Sequence, residues 1–188
     1  MAPAAAQLAA KRYAAVAATL RPRPDGDIEA LFIQRAASPQ DPWSGQMAFP
    51  GGRYEISDQT LRQTAERETQ EEIGLDLGPA RLLGSLTELE GGRATNRLIS
   101  VTAFVYWYPF STPALEPNYE VADTVWVPLS ELVDPQRHIE YHYPVADAYF
   151  PGIQLDRPHQ VIWGLTLRML ADLFHHLGQP FIELDPLS

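Results

Sequence analysis

Apolar and polar positions alternate, or run in short apolar blocks, along most of the chain, and turn residues separate the blocks. Ala14 to Leu20 and Glu29 to Arg35 read as strands joined by a hairpin turn at Pro24-Asp25-Gly26-Asp27. Gln46 to Phe49 is a short strand that runs into Pro50-Gly51-Gly52. Ser57 can cap a helix that begins at Asp58 and continues to about Ile73, where Gly74 offers a left-handed stop. Arg81 to Leu89 and Leu98 to Tyr108 are strand-like, the second rich in aromatic and β-branched residues. Thr124 to Val127 forms a further strand and Leu129 to Val133 a helical turn. His138 to Pro151 is Tyr-rich and reads as irregular. Gln160 to Leu177 has the helical spacing Ile162, Leu165, Met169, Leu173, Leu177 and ends at Gly178. Strands before, between and after two helices predict an α/β (α+β) sandwich, with a mixed central sheet covered on both faces.

Composition sharpens this picture. The 188 residues suit one domain, expected to span 1–188, and a chain of this length buries enough surface to fold without staples. No cysteine is present, which excludes disulfides, Cys-bound zinc, iron–sulfur clusters and thiol nucleophiles. Fourteen basic residues face 24 acidic ones, for a net charge of -10, so wrapping a nucleic-acid backbone is not expected. Lys11 is the only lysine beside 13 arginines, so phosphate would be met by a few placed arginines, backbone N–H groups or a metal. The alanine-rich start lacks a basic leader and an uninterrupted apolar core, and Val101 to Phe110 is too short to cross a bilayer. A soluble cytoplasmic protein with no membrane partner is expected; a homodimer is left open.

The helix over 58–73 breaks a local rule. At 100° per residue, Glu68, Glu71 and Glu72 fall in one sector about 100° wide beside the apolar face of Leu61, Ala65, Thr69 and Ile73. Such like-charged neighbours cost about 0.2–0.5 kcal/mol per pair. The negative end of the helix dipole adds about 0.3–1 kcal/mol each. The first turn was available for acids, so local stability does not explain the placement; a solvated acidic face with Arg67 as partial partner is the plain alternative. A divalent cation turns the repulsion into a binding site, and hard oxygen donors select Mg²⁺ or Mn²⁺. Just upstream, Phe49-Pro50-Gly51-Gly52 brings bare backbone to a strand end, where phosphate or metal can approach closely.

These residues resemble a Nudix box, G-x5-E-x7-R-E-U-x-E-E-x-G-U with U aliphatic. Gly52, Arg67, Glu68, Glu71, Glu72, Gly74 and Leu75 match it. Asp58 stands where the pattern has Glu, with eight residues rather than seven before Arg67, and Thr69 replaces the aliphatic residue. The upstream runs Leu31-Phe32-Ile33-Gln34-Arg35 and Ser44-Gly45-Gln46-Met47-Ala48-Phe49-Pro50-Gly51-Gly52 are similar to the coenzyme A pyrophosphatase subgroup. So are Pro117-Asn118-Tyr119-Glu120-Val121, Trp126-Val127-Pro128-Leu129 and Ile162-Trp163-Gly164-Leu165-Thr166. Trp43 occupies a place where that subgroup usually has His.

The resemblance implies Mg²⁺- or Mn²⁺-dependent attack by water on a diphosphate joined to a nucleoside, with CoA or an acyl-CoA as the leading small-molecule substrate. It implies Glu68 and Glu72 as principal metal ligands, Glu71 as a third ligand or a helper in deprotonating water, and Gly51 or Gly52 as a carbonyl donor beside the substrate. Arg67 would hold a glutamate in place. Glu120 is the candidate general base, with Glu88 and Glu90 as rivals. Arg35 is a candidate phosphate contact, and Arg93 and Arg97 bracket a loop that could serve likewise. The aromatic residues between Tyr106 and Tyr149 could stack on an adenine, although core or dimer-interface roles are the commoner use. His175-His176 reads as surface. A sister specificity for ADP-ribose, NADH or a nucleoside triphosphate, or a Nudix-fold sensor that binds without cleaving, are the alternatives.

Overall fold

The computed structural model describes residues 12–39, 41, 43–91, 98–110 and 114–182. Its centre is the strand β1 (Tyr13–Pro22), which runs parallel to β7 (Ile99–Trp107) in the register Tyr13 to Ser100 through Leu20 to Trp107. On its other side β1 meets two antiparallel partners in turn. At the Leu20 end it pairs with β2 (Ile28–Arg35), and at the Ala14 end with β4 (Gly51–Arg53). The two-residue β3 (Met47–Ala48) and β8 (Val121–Pro128) both pair with β2. At the opposite edge β5 (Arg81–Ser85) and β6 (Leu89–Gly91) pair antiparallel with β7. The result is a mixed eight-stranded sheet.

Alternation along the central strands explains why both faces are covered. Ala15 and Ala17 of β1, Leu31 and Ile33 of β2 and Tyr106 of β7 belong to one apolar cluster. Ala65 and Ile73 of helix α1 (Leu61–Ile73) complete it. Their neighbours Ala18, Leu20, Ala30, Phe32, Ala103 and Val105 point the other way. There they join Leu167, Leu170, Leu173 and Phe174 of helix α3 (Gly164–His176). The period of two sends successive residues to opposite helices, so the sheet needs apolar residues at nearly every position. A short helix α2 (Leu129–Leu132) and a 3₁₀ turn (Pro135–Arg137) lead into a separate antiparallel sheet of β9 (His138–Tyr143), β10 (Ala148–Gln154) and β11 (Val161–Trp163). The α/β (α+β) sandwich with a mixed central sheet is therefore the observed fold.

Four expectations need correction. Helix α1 starts at Leu61 rather than Asp58, and Thr60, not Ser57, caps it by accepting from the Gln63 N–H at 3.2 Å. Asp58 is drawn out of the helix by buried tertiary partners described below. The stretch His138 to Pro151 is not irregular: it forms most of a hairpin in the register Tyr143 to Ala148 through His138 to Ile153. Pro151 and Gly152 read as breakers, yet both lie inside β10. A Cβ at Gly152 would sit 2.9 Å from Val161 Cγ1, so the close approach of β11 requires glycine there. Residues 161–163 are strand, and α3 begins only at Gly164. Last, the break between β5 and β6 divides the strand expected over Arg81 to Leu89. Gly74 ends α1 as expected, at φ 71° with its N–H donated to the Gln70 carbonyl.

Candidate functional site

Helix α1 packs on β1 and β4, and its last two turns carry Glu68 and Glu72 beside Gly52 and Gly51 at the start of β4. Glu72 is 2% exposed and accepts a hydrogen bond from the Gly51 N–H at 2.8 Å. Its other oxygen lies 3.9 Å from Arg35 Nη1. Burial pushes the Glu72 carboxyl up to about 7, against the pull of the Gly51 N–H and Arg35; the charges of Glu68 and Glu120 push the same way as burial. Glu68 is half-buried and is also raised, first by burial, with Arg67 opposing and Glu71 and Glu120 adding to it. Gly52 must be glycine for this arrangement. A Cβ there would lie 2.6 Å from each Glu68 carboxylate oxygen.

Arg67 organises the cluster from the outside. It grips Asp58 with two parallel bonds, Nε to Oδ1 at 2.9 Å and Nη2 to Oδ2 at 2.9 Å. It also donates to the Arg53 carbonyl at 3.1 Å and lies 3.0 Å from Glu68 and 3.1 Å from Glu71. Asp58 is 5% exposed and accepts in addition from the Thr64 hydroxyl at 2.9 Å and the Glu55 N–H at 3.0 Å. Burial alone would raise its carboxyl, but the bonds from Arg67, Glu55 and Thr64 outweigh it and hold the group below its ordinary value. Thr69 is fully buried and returns its hydroxyl to the Ala65 carbonyl at 2.7 Å, so a polar residue is tolerated at an apolar site.

A second connection fixes the loop that carries Glu120. Asn118 donates its side-chain amide to the Glu71 carbonyl at 3.0 Å and its N–H to the Glu72 carbonyl at 2.8 Å. Its side-chain oxygen accepts from the Glu120 N–H at 2.8 Å. Glu116 donates its N–H to Ile73 at 2.9 Å. The end of α1, where carbonyls lack helical partners, is thus closed by the 116–120 segment. Glu120 is exposed at the cleft, and its carbonyl accepts from the Ala36 N–H at 2.7 Å, tying the loop to the end of β2.

Arg35 stands at a slip in register between β2 and β8, where pairing jumps from Gln34–Asp123 to Arg35–Val121. Such irregularities re-aim side chains, and this one leaves Arg35 in the cleft, 2.7 Å from Asp41. The cleft holds about 690 Å³, within the size range of small-ligand sites. Glu68, Glu71, Glu72 and Glu120 line one end of it. Among the described residues, no three His, Asp or Glu side chains are already drawn together tightly enough to clasp an ion. The donor chemistry nonetheless fits a hard divalent cation: the available donors are oxygens, and beyond burial the Glu72 carboxyl is pushed up by the charges of Glu68 and Glu120, and that of Glu68 by Glu71 and Glu120.

A family model described as the NUDIX domain matches residues 11–149. The chain belongs to the Nudix hydrolase family. A curated relative from Yersinia pestis (strain Pestoides F), named Uncharacterized Nudix hydrolase NudL, is 32% identical over 176 residues, which cover 91% of this chain and 80% of that protein. An uncharacterized protein of Schizosaccharomyces pombe is 36% identical over 110 residues, 56% of this chain; that match spans only 33% of the yeast protein's length. Among solved structures, a MutT/nudix family protein from Enterococcus faecalis superposes with a TM-score of 0.62 at 15% identity, covering 89% of this chain and 62% of that one. That likeness is one of fold.

Within the Nudix box, Gly52, Arg67, Glu68, Glu71 and Glu72 all line the cleft, together with Arg35, Gly51 and Glu120. Glu71 is the outward member, exposed at the rim and paired with Arg67. Gly51 offers its N–H to Glu72. Glu88 and Glu90 are exposed and do not line the cleft. Arg93 and Arg97 lie outside the described residues. Tyr106 is core, its hydroxyl donated to Glu66 at 3.1 Å, and His175 and His176 are exposed. Sequence reasoning missed two site-building residues. Asp58 was read as the first residue of the helix and as the acid of the box, not as the anchor of Arg67, although its fixed distance from Arg67 was the available signal. Asn118 gave no local signal, because its partners are 47 residues away at the end of α1.

Proposed function

We propose that the chain is a metal-dependent pyrophosphohydrolase of nucleoside diphosphate-linked substrates, with CoA or an acyl-CoA as the leading substrate. Cleavage would release 3′,5′-ADP and a 4′-phosphopantetheine product. The observation that carries this reading is that Glu68 and Glu72 meet the Gly51-Gly52 turn in a cleft that Glu120 also lines. The subgroup resemblance upstream and downstream of the box favours the CoA-type substrate. In this reading a single domain acts on a dissolved cytoplasmic metabolite. No helix among the described residues is long and apolar enough to cross a membrane.

Glu68 and Glu72 would hold Mg²⁺ or Mn²⁺, with Glu71 as a third donor. When bound, the cation supplies neutralisation of the diphosphate and a lowered pKa for an attacking water. Glu120 would accept the proton of that water as its oxygen attacks phosphorus. The bridging P–O bond then breaks, and its electron pair leaves with the departing phosphate. Arg35 would hold a substrate phosphate, and Arg67 keeps Glu68 and Glu71 in place through its anchor on Asp58.

Trp43 favours a second reading. It lines the cleft where CoA-type relatives are expected to carry His, so ADP-ribose, NADH or a nucleoside triphosphate could be the preferred substrate. Incubation with Mg²⁺ and a panel of CoA, NADH, ADP-ribose, diadenosine polyphosphates and nucleoside triphosphates, with products resolved by chromatography, separates these readings. CoA turnover to 3′,5′-ADP is the expected result. Fast turnover of ADP-ribose with CoA untouched would replace the substrate. Tight binding with no turnover of any compound would make the chain a sensor.

A further inference from the structure

The cleft has two chemically distinct ends. Its cations, Arg35, Arg53 and Arg67, all stand among the carboxylates at the α1 end. The far end is walled by rings from the small second sheet. Trp163 ends β11, and around it stand Tyr143 at 4.6 Å, Tyr141 at 5.0 Å and Phe150 at 5.4 Å between ring centroids. The planes are tilted by 38–42°, so the rings do not stack flat on one another. None of the four is fully buried. Trp163 and Tyr143 also form the wall between this cleft and an adjoining one of about 440 Å³.

Core packing alone does not account for this cluster. The buried cores of the main sheet lie elsewhere, among Leu20, Phe32, Leu170 and Phe174 on one face and Leu31, Ile33 and Ile73 on the other. Four half-exposed rings gathered at a cleft mouth are costly to leave facing water. Trp43, packed against the main core, also lines this cleft. Gly164, which follows Trp163 at φ 59°, has nothing within 4 Å of the place a Cβ would occupy, so the approach to the Trp163 end is open.

The geometry points to the Trp163–Tyr143–Phe150 cluster, with Trp43, as the binding platform for the flat, uncharged purine base of the substrate. This inference rests on the reading of the carboxylate end as the diphosphate site: the base stacks on the rings while the diphosphate reaches the glutamates. Aromatic rings give a flat base a matching π-face. Among the described residues, none of the arginines that line the cleft belongs to the small sheet that carries the rings, which favours a neutral group there over a phosphate. The platform comes from β9–β11, outside the Nudix box, so it would set which nucleotide is taken without altering how the bond is cut.

The test measures binding apart from turnover. AMP and ribose 5-phosphate, which share the sugar phosphate and differ in the base, are titrated calorimetrically in Mg²⁺ into the wild type, Trp163→Ala and Trp163→Phe. AMP is expected to bind the wild type about five- to a hundredfold tighter than ribose 5-phosphate. Trp163→Ala should abolish that difference and Trp163→Phe should keep most of it. If Trp163→Ala does not fold, as judged by circular dichroism, Phe150→Leu and Trp43→Ala should each reduce the difference instead. Equal binding of AMP and ribose 5-phosphate by the wild type would overturn the platform. So would folded ring variants that keep the preference, or pantetheine competing at the rings where AMP does not. Turnover by the wild type is scored separately: an enzyme that cleaves its substrate with no base preference refutes the platform alone. A base preference without any cleavage refutes the hydrolase reading alone.

Discussion

Alanine at Gly52 separates the position of one carboxylate from the stability of the fold. The added Cβ would stand 2.6 Å from both oxygens of Glu68, whereas ordinary contact begins at 3.4 Å. The oxygens must therefore retreat by about 0.8 Å, the difference of those two distances, and the carboxyl carbon, which stands nearer still, by more. Glu68 can move, because the clash is with the far end of a flexible side chain. An off-rotamer arrangement costs about 0.5–1.5 kcal/mol. Replacing glycine where the backbone permits returns about 0.4–1 kcal/mol through the unfolded chain. The two nearly cancel, so the melting temperature should move by no more than about 3 °C. Activity should not be spared, since a misplacement of about 1 Å costs on the order of a hundredfold. Gly51→Ala is the contrast. There the Cβ would strike the Ala15 carbonyl oxygen and lie 2.5 Å from Val16 Cα, at φ 150°. Backbone cannot yield so easily, and destabilisation of about 2–6 kcal/mol is expected. The assay is thermal melting by circular dichroism beside kcat/KM for CoA at saturating Mg²⁺. A Gly52→Ala protein that melts and turns over like the wild type would refute the claim that the turn fixes Glu68 for catalysis.

Asn118→Ala removes two side-chain bonds that join α1 to the Glu120 loop, and should cost about 1–2 kcal/mol and lower kcat; restoring kcat with Asn118→Gln would show that bulk, not the fitted amide, matters. Asp58→Asn keeps the shape but breaks the charged pair with Arg67, and chemical denaturation should register a loss of about 1.5–3 kcal/mol. Glu72→Gln should lower turnover by at least about a hundredfold. Without metal the same variant should be the more stable protein at pH 8. Because burial raises the Glu72 carboxyl to about 7 from its ordinary value of 4.5, the metal-free wild type is most favoured where Glu72 is protonated in both states, below about 4.5. That advantage is lost as pH rises through about 7, and melting curves from pH 5 to 8 should show the decline in the wild type and a flatter profile in Glu72→Gln.

Local geometry made the acidic helix legible. Three glutamates at fixed spacing on α1 and a glycine stop at Gly74 follow from residues within one turn of one another. Long-range demands hid the rest. Ser57 looked like a cap because Asp58 was read as helical, whereas Asp58 is held outside the helix by Arg67, nine residues away, and by Thr64. The aromatic hairpin escaped although His138–Tyr143 alternates, with His138, Glu140 and His142 on one face and Ile139, Tyr141 and Tyr143 on the other, because Pro151-Gly152 mimics a strand end. Ile162 fitted both the period of two and the helical spacing, and only pairing with Ile153 assigns it to a strand. The two ends of the cleft therefore differed in visibility: the carboxylate end is written in a contiguous stretch, and the ring end is assembled from segments that meet only in the fold.

Hydrolysis of CoA in ¹⁸O-labelled water, with and without Mg²⁺, tests the central claim most directly. Water attack on phosphorus predicts Mg²⁺-dependent formation of 3′,5′-ADP and 4′-phosphopantetheine, with one ¹⁸O in a single product phosphate by mass spectrometry. It also predicts near-total loss of that product in Glu72→Gln. Cleavage that proceeds equally in EDTA, or that survives Glu72→Gln unchanged, would contradict the assignment of this cleft as the metal-dependent site.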